Sequence, residues 1–171
     1  MTSDTTTAIG THLASSLGMG VWYARTLLTD VDPDTFAHMP MDNFNHAAFN
    51  YGHLALYPNK MLEMIDRNDA LIDLPFGDDL YAAGVECVEQ DGRYQSMEVI
   101  TNAFFEGHER LMEILPTVDP SIMARELPEG RAREMFTTVG NAVTFMSSSH
   151  TMMHLGQVSM WRRAMGLGSC M

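Results

Sequence analysis

The sequence has little of what disulfide-bonded, membrane-spanning or nucleic-acid-binding proteins require. Its two cysteines, Cys87 and Cys170, form no CxxC pair, so neither a disulfide framework nor a cysteine metal site is indicated. Ten basic residues stand against 22 acidic ones, and the formal charge of −12 disfavours phosphate backbones and anionic membranes as partners. No apolar run approaches a membrane span, and the opening "MTSDTTTAIG" lacks a secretion signal pattern. We therefore expect a soluble, cytoplasmic protein that binds neither nucleic acid nor membranes.

What the sequence does contain is apolar residues at three- and four-residue spacing, which predicts amphipathic helices. The first helix covers residues 9–31. Asp42 is a candidate N-cap for a second helix over residues 43–66, which Pro58 should kink or split because it removes one helical hydrogen bond. The length of 171 residues suits one core, so we expect a single domain, 1–171.

Two further long helices follow a crossover, residues 67–95, that shows no sustained period. Ser96 can cap a third helix that ends at Pro116, and Asp119 with Pro120 can start a short helix after it. The fourth helix is predicted from residue 131 to Met165, where Gly166 stops it. Four long helices with long connections predict an all-α four-helix bundle.

Two histidines lie four residues apart on the fourth helix, in the run "HTMMHLGQ". His150 and His154 both fall on its apolar face, so they point to the core. Their β-carbons are about 5 to 6 Å apart at this spacing, so both imidazoles can reach one cation. A pair of metal ligands and a pair of hydrogen-bonded core histidines are about equally supported by these residues alone.

The second helix carries further histidines, in the run "HAAFNYGHLALYP". His46 and His53 lie two turns apart on one face. A third imidazole from this helix would complete three nitrogen ligands and leave coordination positions open, which is typical of catalytic rather than structural metal sites.

Three short runs together resemble one family. They are "GHLA" at 52–55, "HTMMHLGQ" at 150–157 and the closing "RRAMGLG", and they resemble the DinB superfamily of small helical-bundle proteins, also called damage-inducible or bacillithiol-transferase-like. The resemblance spans nearly the whole chain. It implies a DinB-like four-helix bundle with long crossover connections, a divalent metal ion bound by three histidines, and frequent homodimers. Its members include thiol S-transferases and mycothiol-dependent isomerases.

The resemblance places the metal ligands on His53, His150 and His154. His46 is the rival for the ligand on the second helix, although it lies roughly 10 Å from His53 along the helix axis. His108, on the apolar face of the third helix, is either a buried histidine with a backbone partner, which we favour, or a residue near the metal.

Polar neighbours of these histidines have two interpretations each. Gln157 either orients a ligand or bonds a neighbouring segment. Asn50 and Tyr57 lie one turn on either side of His53 and either assist the site or pack. Three acidic residues on the other side of the third helix are expected to face solvent: Glu106, Glu109 and Glu113.

Three neutral imidazoles would leave a cation its full double charge, so it could lower the pKa of a bound water to about 7 or hold a thiol as thiolate. Thr151 stands where the HExxH metalloproteases need glutamate, and no catalytic base can be assigned. The leading hypothesis is a metal-dependent enzyme that transfers or adds a low-molecular-weight thiol to a small electrophile. The alternatives are a metal-assisted hydrolase of a small substrate and a metal-binding protein without turnover. Zinc and nickel are the metals that best suit this donor set.

A homodimer is expected from the resemblance and from apolar residues of the crossover. These residues predict a self-complementary surface formed by Leu71, Ile72, Leu74, Phe76 and Leu80.

Overall fold

The structure is a computed structural model that describes residues 3–170, without the side chains of residues 3–8 and 131. Within this range the chain is all helix, turn and loop, apart from an isolated bridge between Glu126 and Thr138. No helix in the described part is both long and apolar enough to cross a bilayer.

The α-helices of the described residues are α1 (Ser3–Leu27), α2 (Ala47–Ala55), α3 (Tyr57–Met64), α4 (Asp78–Tyr81), α5 (Met97–Ile114), α6 (Pro120–Ala124), α7 (Arg131–Met135), α8 (Val139–Thr144) and α9 (Thr151–Ala164). A π-helical segment, Phe145–His150, joins α8 to α9. Short 3-10 turns occupy Pro33–Thr35, Asn68–Ala70 and Leu115–Thr117.

The second predicted helix is divided, as Pro58 indicated. α2 ends at Ala55 and α3 begins at Tyr57, with Pro58 in its first turn, where the missing N–H has no helical acceptor to lose. The predicted N-cap at Asp42 is wrong, because Asn43 adopts a left-handed φ of 59° and the helix starts later. His46 caps α2 instead, and its Nδ1 accepts the N–H of Phe49 at 3.0 Å.

The third predicted helix and the short helix after it are confirmed. Ser96 caps α5 by accepting the N–H of Val99 at 3.3 Å, and α5 ends before Pro116. Asp119 caps α6. The crossover before α5 forms α4 and one 3-10 turn, which agrees with its lack of a sustained period.

The fourth predicted helix is wrong as one continuous element. α7 ends at Met135, and residues 136–138 leave the helical path, because Leu127 N–H bonds Thr137 O at 3.3 Å and Val139 N–H bonds Arg125 O at 2.9 Å. Thr138 then caps α8. The helical path continues through the π-helical segment into α9 and stops at Gly166, whose φ is +79°, as predicted.

Packing brings α2 and α9 side by side. α2 also packs against α5, and α1 packs against both α5 and α9. Tyr51 of α2 is fully buried, and its hydroxyl donates to Ala24 O of α1 at 2.6 Å. Arg162 of α9 donates to Leu27 O at 2.8 Å and so satisfies the C-terminus of α1. These buried bonds fix α2 and α9 relative to α1.

The crossover does not present the apolar surface that the sequence indicated. Ile72 and Phe76 are buried in the chain's own core, and Leu74 and Leu80 pack partly against that core. Leu71 is 39% exposed. This predicted dimer surface is therefore wrong, while the homodimer itself stays a prediction.

Candidate metal centre

Three buried histidines converge between α2 and the helical segments of residues 145–164. His53 lies on α2, His150 ends the π-helical segment and His154 lies on α9, and one ring nitrogen of each is within 4.8 Å of the others. His53 Nε2 and His150 Nε2 are 3.2 Å apart. Two nitrogens bound to one tetrahedral zinc ion would be about 3.3 Å apart, given zinc–nitrogen bonds of about 2.0 to 2.1 Å. The spacing fits a shared cation.

The tautomer of His53 is fixed by a main-chain group. Its Nδ1 lies 2.6 Å from the carbonyl oxygen of Tyr81, the last residue of α4. Because a carbonyl can only accept, Nδ1 carries the proton and Nε2 presents its lone pair to His150. Gly52 makes this approach possible, since a Cβ there would lie 2.3 Å from the Tyr81 ring.

The tautomer of His154 is fixed by a side chain. Its Nδ1 lies 2.9 Å from Asn50 Oδ1. Asn50 Nδ2 donates to Asn45 O and His46 O at 3.2 and 3.1 Å, and this pair of bonds fixes which amide atom is the oxygen. Nδ1 of His154 is therefore the donor, and its Nε2 is free to bind a metal.

His150 is held by aromatic contacts rather than by such a bond. Its ring centroid lies 4.2 Å from that of Tyr57 and 5.9 Å from that of Phe145. Within the part of the chain that the structure describes, its buried Nδ1 has no hydrogen-bond partner.

Burial keeps the three imidazoles neutral near pH 7. Together with a smaller effect of the positive charge that His53 can carry, it lowers the pKa of His150 to about 4 and that of His154 to about 3. Burial also lowers the pKa of His53. Only neutral imidazole donates to a metal, so the site is ready to bind at pH 7. An all-nitrogen set without a carboxylate suits zinc or nickel.

Comparison with protein families identifies the family of the chain. Residues 23–158 match the family profile described as the DinB superfamily. The chain belongs to the DinB superfamily. The matched range contains His53, His150 and His154, the histidines that the resemblance of the sequence pointed to. No curated protein and no solved structure gives a significant match to the chain.

The other candidate residues of this DinB superfamily chain lie outside the triad. His46 uses both ring nitrogens for structure, since Nδ1 caps α2 and Nε2 donates to Val88 O at 3.0 Å. Gln157 accepts a hydrogen bond from Asn45 Nδ2 at 3.1 Å and so bonds a neighbouring segment. His108 is fully buried and its Nδ1 lies 2.7 Å from Phe104 O.

Of the neighbours predicted near His53, both touch the triad. Asn50 bonds His154, and the Tyr57 ring lies 5.0 Å from that of His53. The three glutamates of α5 are exposed, as expected: Glu106, Glu109 and Glu113.

Sequence reasoning missed the Tyr81 carbonyl and the aromatic wall. Phe49 stacks on His53 with ring centroids 6.3 Å apart, and Phe145 lies against His150. A main-chain oxygen carries no sequence signal. The glycine directly before His53 was the available hint, because glycine within a helix can mark a close approach.

Proposed function

We propose that this chain is a divalent-metal-dependent enzyme that transfers or adds a small thiol to an electrophile, with His53, His150 and His154 as its metal ligands. The observation that carries the proposal is the convergence of three neutral imidazoles, with one ring nitrogen of each within 4.8 Å of the others. Three protein ligands are one fewer than a closed tetrahedral site requires, so a substrate can take the remaining position.

The bound cation would act as a Lewis acid that lowers the pKa of a coordinating thiol or water. The chain's own residues supply orientation and a dry wall. Tyr81 O and Asn50 Oδ1 hold two imidazole rings, and the rings of Phe49, Tyr57 and Phe145 surround the triad. Burial raises the pKa of the Tyr57 hydroxyl, which therefore stays protonated and can donate to a substrate.

The thiol reaction is favoured over hydrolysis because it needs no protein base. Thr151, which stands at the glutamate position of HExxH, is buried and donates its hydroxyl proton to Met146 O at 2.8 Å. Asp78, whose charge acts on His53, is largely exposed and lies 3.3 Å from Lys60 Nζ. A thiol can lose its proton to solvent. Its sulfur then bonds the electrophilic carbon, and the leaving group departs with its electron pair or, in an addition, the adjacent atom takes up a proton.

The experiment uses untagged protein loaded with Zn²⁺ or Ni²⁺ and panels of small thiols and electrophiles. We expect thiol consumption to require metal, to be lost in His150→Ala and to persist in His12→Ala, an exposed histidine. Ester or amide turnover without thiol would support the metal-assisted hydrolase instead. Inactivity of the fully metallated protein across both panels would support a metal-binding protein without turnover.

We also propose that the long helical segments form a four-helix bundle of one domain, 1–171, that the protein is cytoplasmic, and that it forms a homodimer. Exposed apolar residues support a dimer surface on α1 and α9: Met19 and Trp22 are 62% and 52% exposed, and Met152 is 45% exposed. Gly20 and Met152 lie close together, so these residues form one surface. Light scattering at micromolar concentrations should give twice the chain mass, and the mass of one chain would contradict the dimer.

A further inference from the structure

The chain has a single lysine, Lys60, and the structure places it beside the histidine triad. Its ammonium nitrogen Nζ lies 5.5 Å from the centre of the Tyr57 ring, which belongs to the preceding turn of α3. The centre of that ring in turn lies 4.2 Å from the centre of the His150 ring and 5.0 Å from that of the His53 ring. One aromatic ring therefore contacts both a cation and the triad.

The ammonium group of Lys60 is only partly used inside the protein. Among the described residues its hydrogen-bond acceptor is Asp78 Oδ2, at 3.3 Å, whereas an ammonium group has three donors. The side chains of Lys60 and Asp78 are 37% and 64% exposed, so their ion pair adds little stability. Lys60 Nζ therefore has donors left for a ligand.

A cleft of about 740 Å³ next to Lys60 gives a ligand room. The other cation that the described residues contribute to this cleft is Arg125, which bonds both carboxylate oxygens of Asp66 and also Met64 O. An anionic group that enters the cleft therefore finds a cation with free donors at Lys60, beside the triad. The remaining charged side chains of the cleft are acidic: Glu63, Asp66, Glu126 and Glu129.

We propose that Lys60 binds a carboxylate carried by the small thiol, so that the thiol is held at two points, by its sulfur on the cation and by its carboxylate on Lys60. Lys60 is thus a residue that determines specificity, because it selects a carboxylate-bearing thiol over a neutral one. Asp78 already places a carboxylate on this ammonium group, and a charge-assisted hydrogen bond of this kind is stronger than a neutral one. Since the chain carries a formal charge of −12, an anionic thiol needs such a local cation. The inference rests on the proposed function and names the class of its thiol.

Two thiols that differ in one group test this role: mercaptopropionate carries a carboxylate, and mercaptopropanol carries a hydroxyl in its place. In calorimetric titration of the Zn²⁺-loaded protein, we expect Lys60→Gln to weaken binding of mercaptopropionate about 5- to 10-fold and to leave binding of mercaptopropanol unchanged. Lys60→Arg keeps the charge and should keep most of the affinity for mercaptopropionate. Equal effects of Lys60→Gln on the two thiols would overturn the proposal.

The ion-pair partner of Lys60 gives a second variant with the opposite expected effect. Asp78→Asn removes the carboxylate that competes for the ammonium group, so mercaptopropionate should bind about 2- to 5-fold more tightly. An ion pair that serves only to link α3 to α4 would leave thiol binding unchanged in both Lys60→Gln and Asp78→Asn, and that result would overturn the proposal. The variants are compared at full Zn²⁺ occupancy, checked by mass spectrometry.

The wild-type sequence gives a test that does not depend on the folding of a variant. Reductive methylation with carbon-13 formaldehyde keeps the charge of a lysine, and it labels one lysine side chain here because Lys60 is the single lysine of the chain. With Zn²⁺ bound, mercaptopropionate should shift the carbon-13 NMR signal of Lys60, and mercaptopropanol should not. A signal that does not respond to bound mercaptopropionate would contradict the proposal.

The proposed function and the role of Lys60 fail in different ways. If the Zn²⁺-loaded protein binds neither thiol, or if both thiols bind equally well after His150→Ala, the metal site does not hold the thiol and both proposals fall. If both thiols bind through the triad and Lys60→Gln changes the affinity for neither, the role of Lys60 alone falls.

Discussion

His46 stands at the start of α2 and His53 lies two turns further along, and the two sites use the same side chain differently. Both are buried, and burial lowers the pKa of both. Both ring nitrogens of His46 bind main-chain groups, whereas His53 bonds the main chain through Nδ1 alone and turns Nε2 to His150. Burial and a lowered pKa therefore do not distinguish a structural histidine from a candidate ligand. The nitrogen that the main chain leaves free does.

The difference has an energetic meaning. The start of α2 satisfies His46 completely, so this residue adds stability through a helix cap and a bond to the crossover. The middle of α2 gathers three imidazoles whose Nε2 atoms cannot all be satisfied by one another, since each neutral ring has one proton. A cation shared by the three would accept a lone pair from each Nε2 atom and so satisfy all of them. The start of α2 thus serves the fold, and the middle offers free ring nitrogens to a ligand.

The largest expected effect is loss of metal from the triad. His53→Ala, His150→Ala and His154→Ala each delete one of three protein ligands, so we expect Zn²⁺ affinity to fall by more than the roughly 100-fold typical of an outer partner. The variants should stay folded. Metal content by mass spectrometry, with circular dichroism for folding, measures both.

His46→Ala is the matched control, because it removes a buried histidine from the same helix. We expect its metal content to equal that of wild type. Full metal occupancy in His150→Ala or His154→Ala would contradict the metal interpretation. Loss of metal in His46→Ala alone would show that His46, and not His53, is the ligand on α2.

The second effect is on stability and has the opposite pattern. His46→Ala removes the α2 cap and the bond to Val88 O and leaves a cavity, so we expect the free energy of unfolding to fall by about 2 to 4 kcal/mol. The sequence analysis treated His46 only as a rival metal ligand, so neither its cap nor its bond to the crossover was foreseen. Urea unfolding of metal-free protein measures the change, and His12→Ala, on the exposed face of α1, should change it by less than about 0.5 kcal/mol. An unchanged free energy of unfolding in His46→Ala would show that the cap contributes little to stability.

Sequence patterns predicted the parts of the fold that depend on local periodicity. α1 and α5 were predictable because each repeats apolar residues over many turns, and Ser96 marked the start of α5. The break between α7 and α8 was not predictable, because it depends on pairing between residues 125–127 and 137–139. The cap at His46 likewise depends on how the preceding loop turns at Asn43.

The features of the site likewise divide into those that the sequence predicted and those that depend on tertiary folding. His150 and His154 were visible because four-residue spacing on an apolar face is a local property, and the family resemblance selected His53 over His46. The Tyr81 carbonyl was not foreseen, because it reaches His53 from the crossover by tertiary folding. The unpaired nitrogens of His108 and His150 are also tertiary features, since they depend on which atoms surround the rings.

The third effect is on both stability and metal binding, and it arises at Gly52, next to His53. A Cβ there would lie within 2.3 to 2.7 Å of three atoms of the Tyr81 ring. Gly52→Ala should therefore displace Tyr81, lower the free energy of unfolding by about 1 to 3 kcal/mol and weaken Zn²⁺ binding about 10-fold, because the Tyr81 carbonyl orients His53.

Gly156→Ala on α9 is the control. Among the described residues, no atom beyond its own helix backbone and chain neighbours lies within 4 Å of the place that an alanine methyl group would take there. The substitution should raise the free energy of unfolding by about 0.5 to 1 kcal/mol, as alanine does in a helix, with unchanged metal binding. Equal behaviour of the two alanine variants in calorimetric titration with Zn²⁺ would contradict the role given to Gly52.

The smallest effect is a pH dependence that belongs to the start of α2. Burial lowers the pKa of His46 to about 4 from the ordinary 6.5, against smaller opposing effects of Val88 O and Glu89. The unfolded chain therefore binds more protons between pH 6.5 and 4, so stability is complete above pH 6.5 and falls as the pH drops through that range. Between pH 6.5 and 5.5 the His46 contribution should fall by about 1 kcal/mol, given 1.36 kcal/mol for each pKa unit. His46→Asn keeps a capping side chain without a titrating ring, and the triad and His108 are the same in both proteins. Urea unfolding with a chelator at the two pH values should thus show a loss about 1 kcal/mol smaller in His46→Asn than in wild type, and equal losses would mean that His46 is not held neutral by the fold.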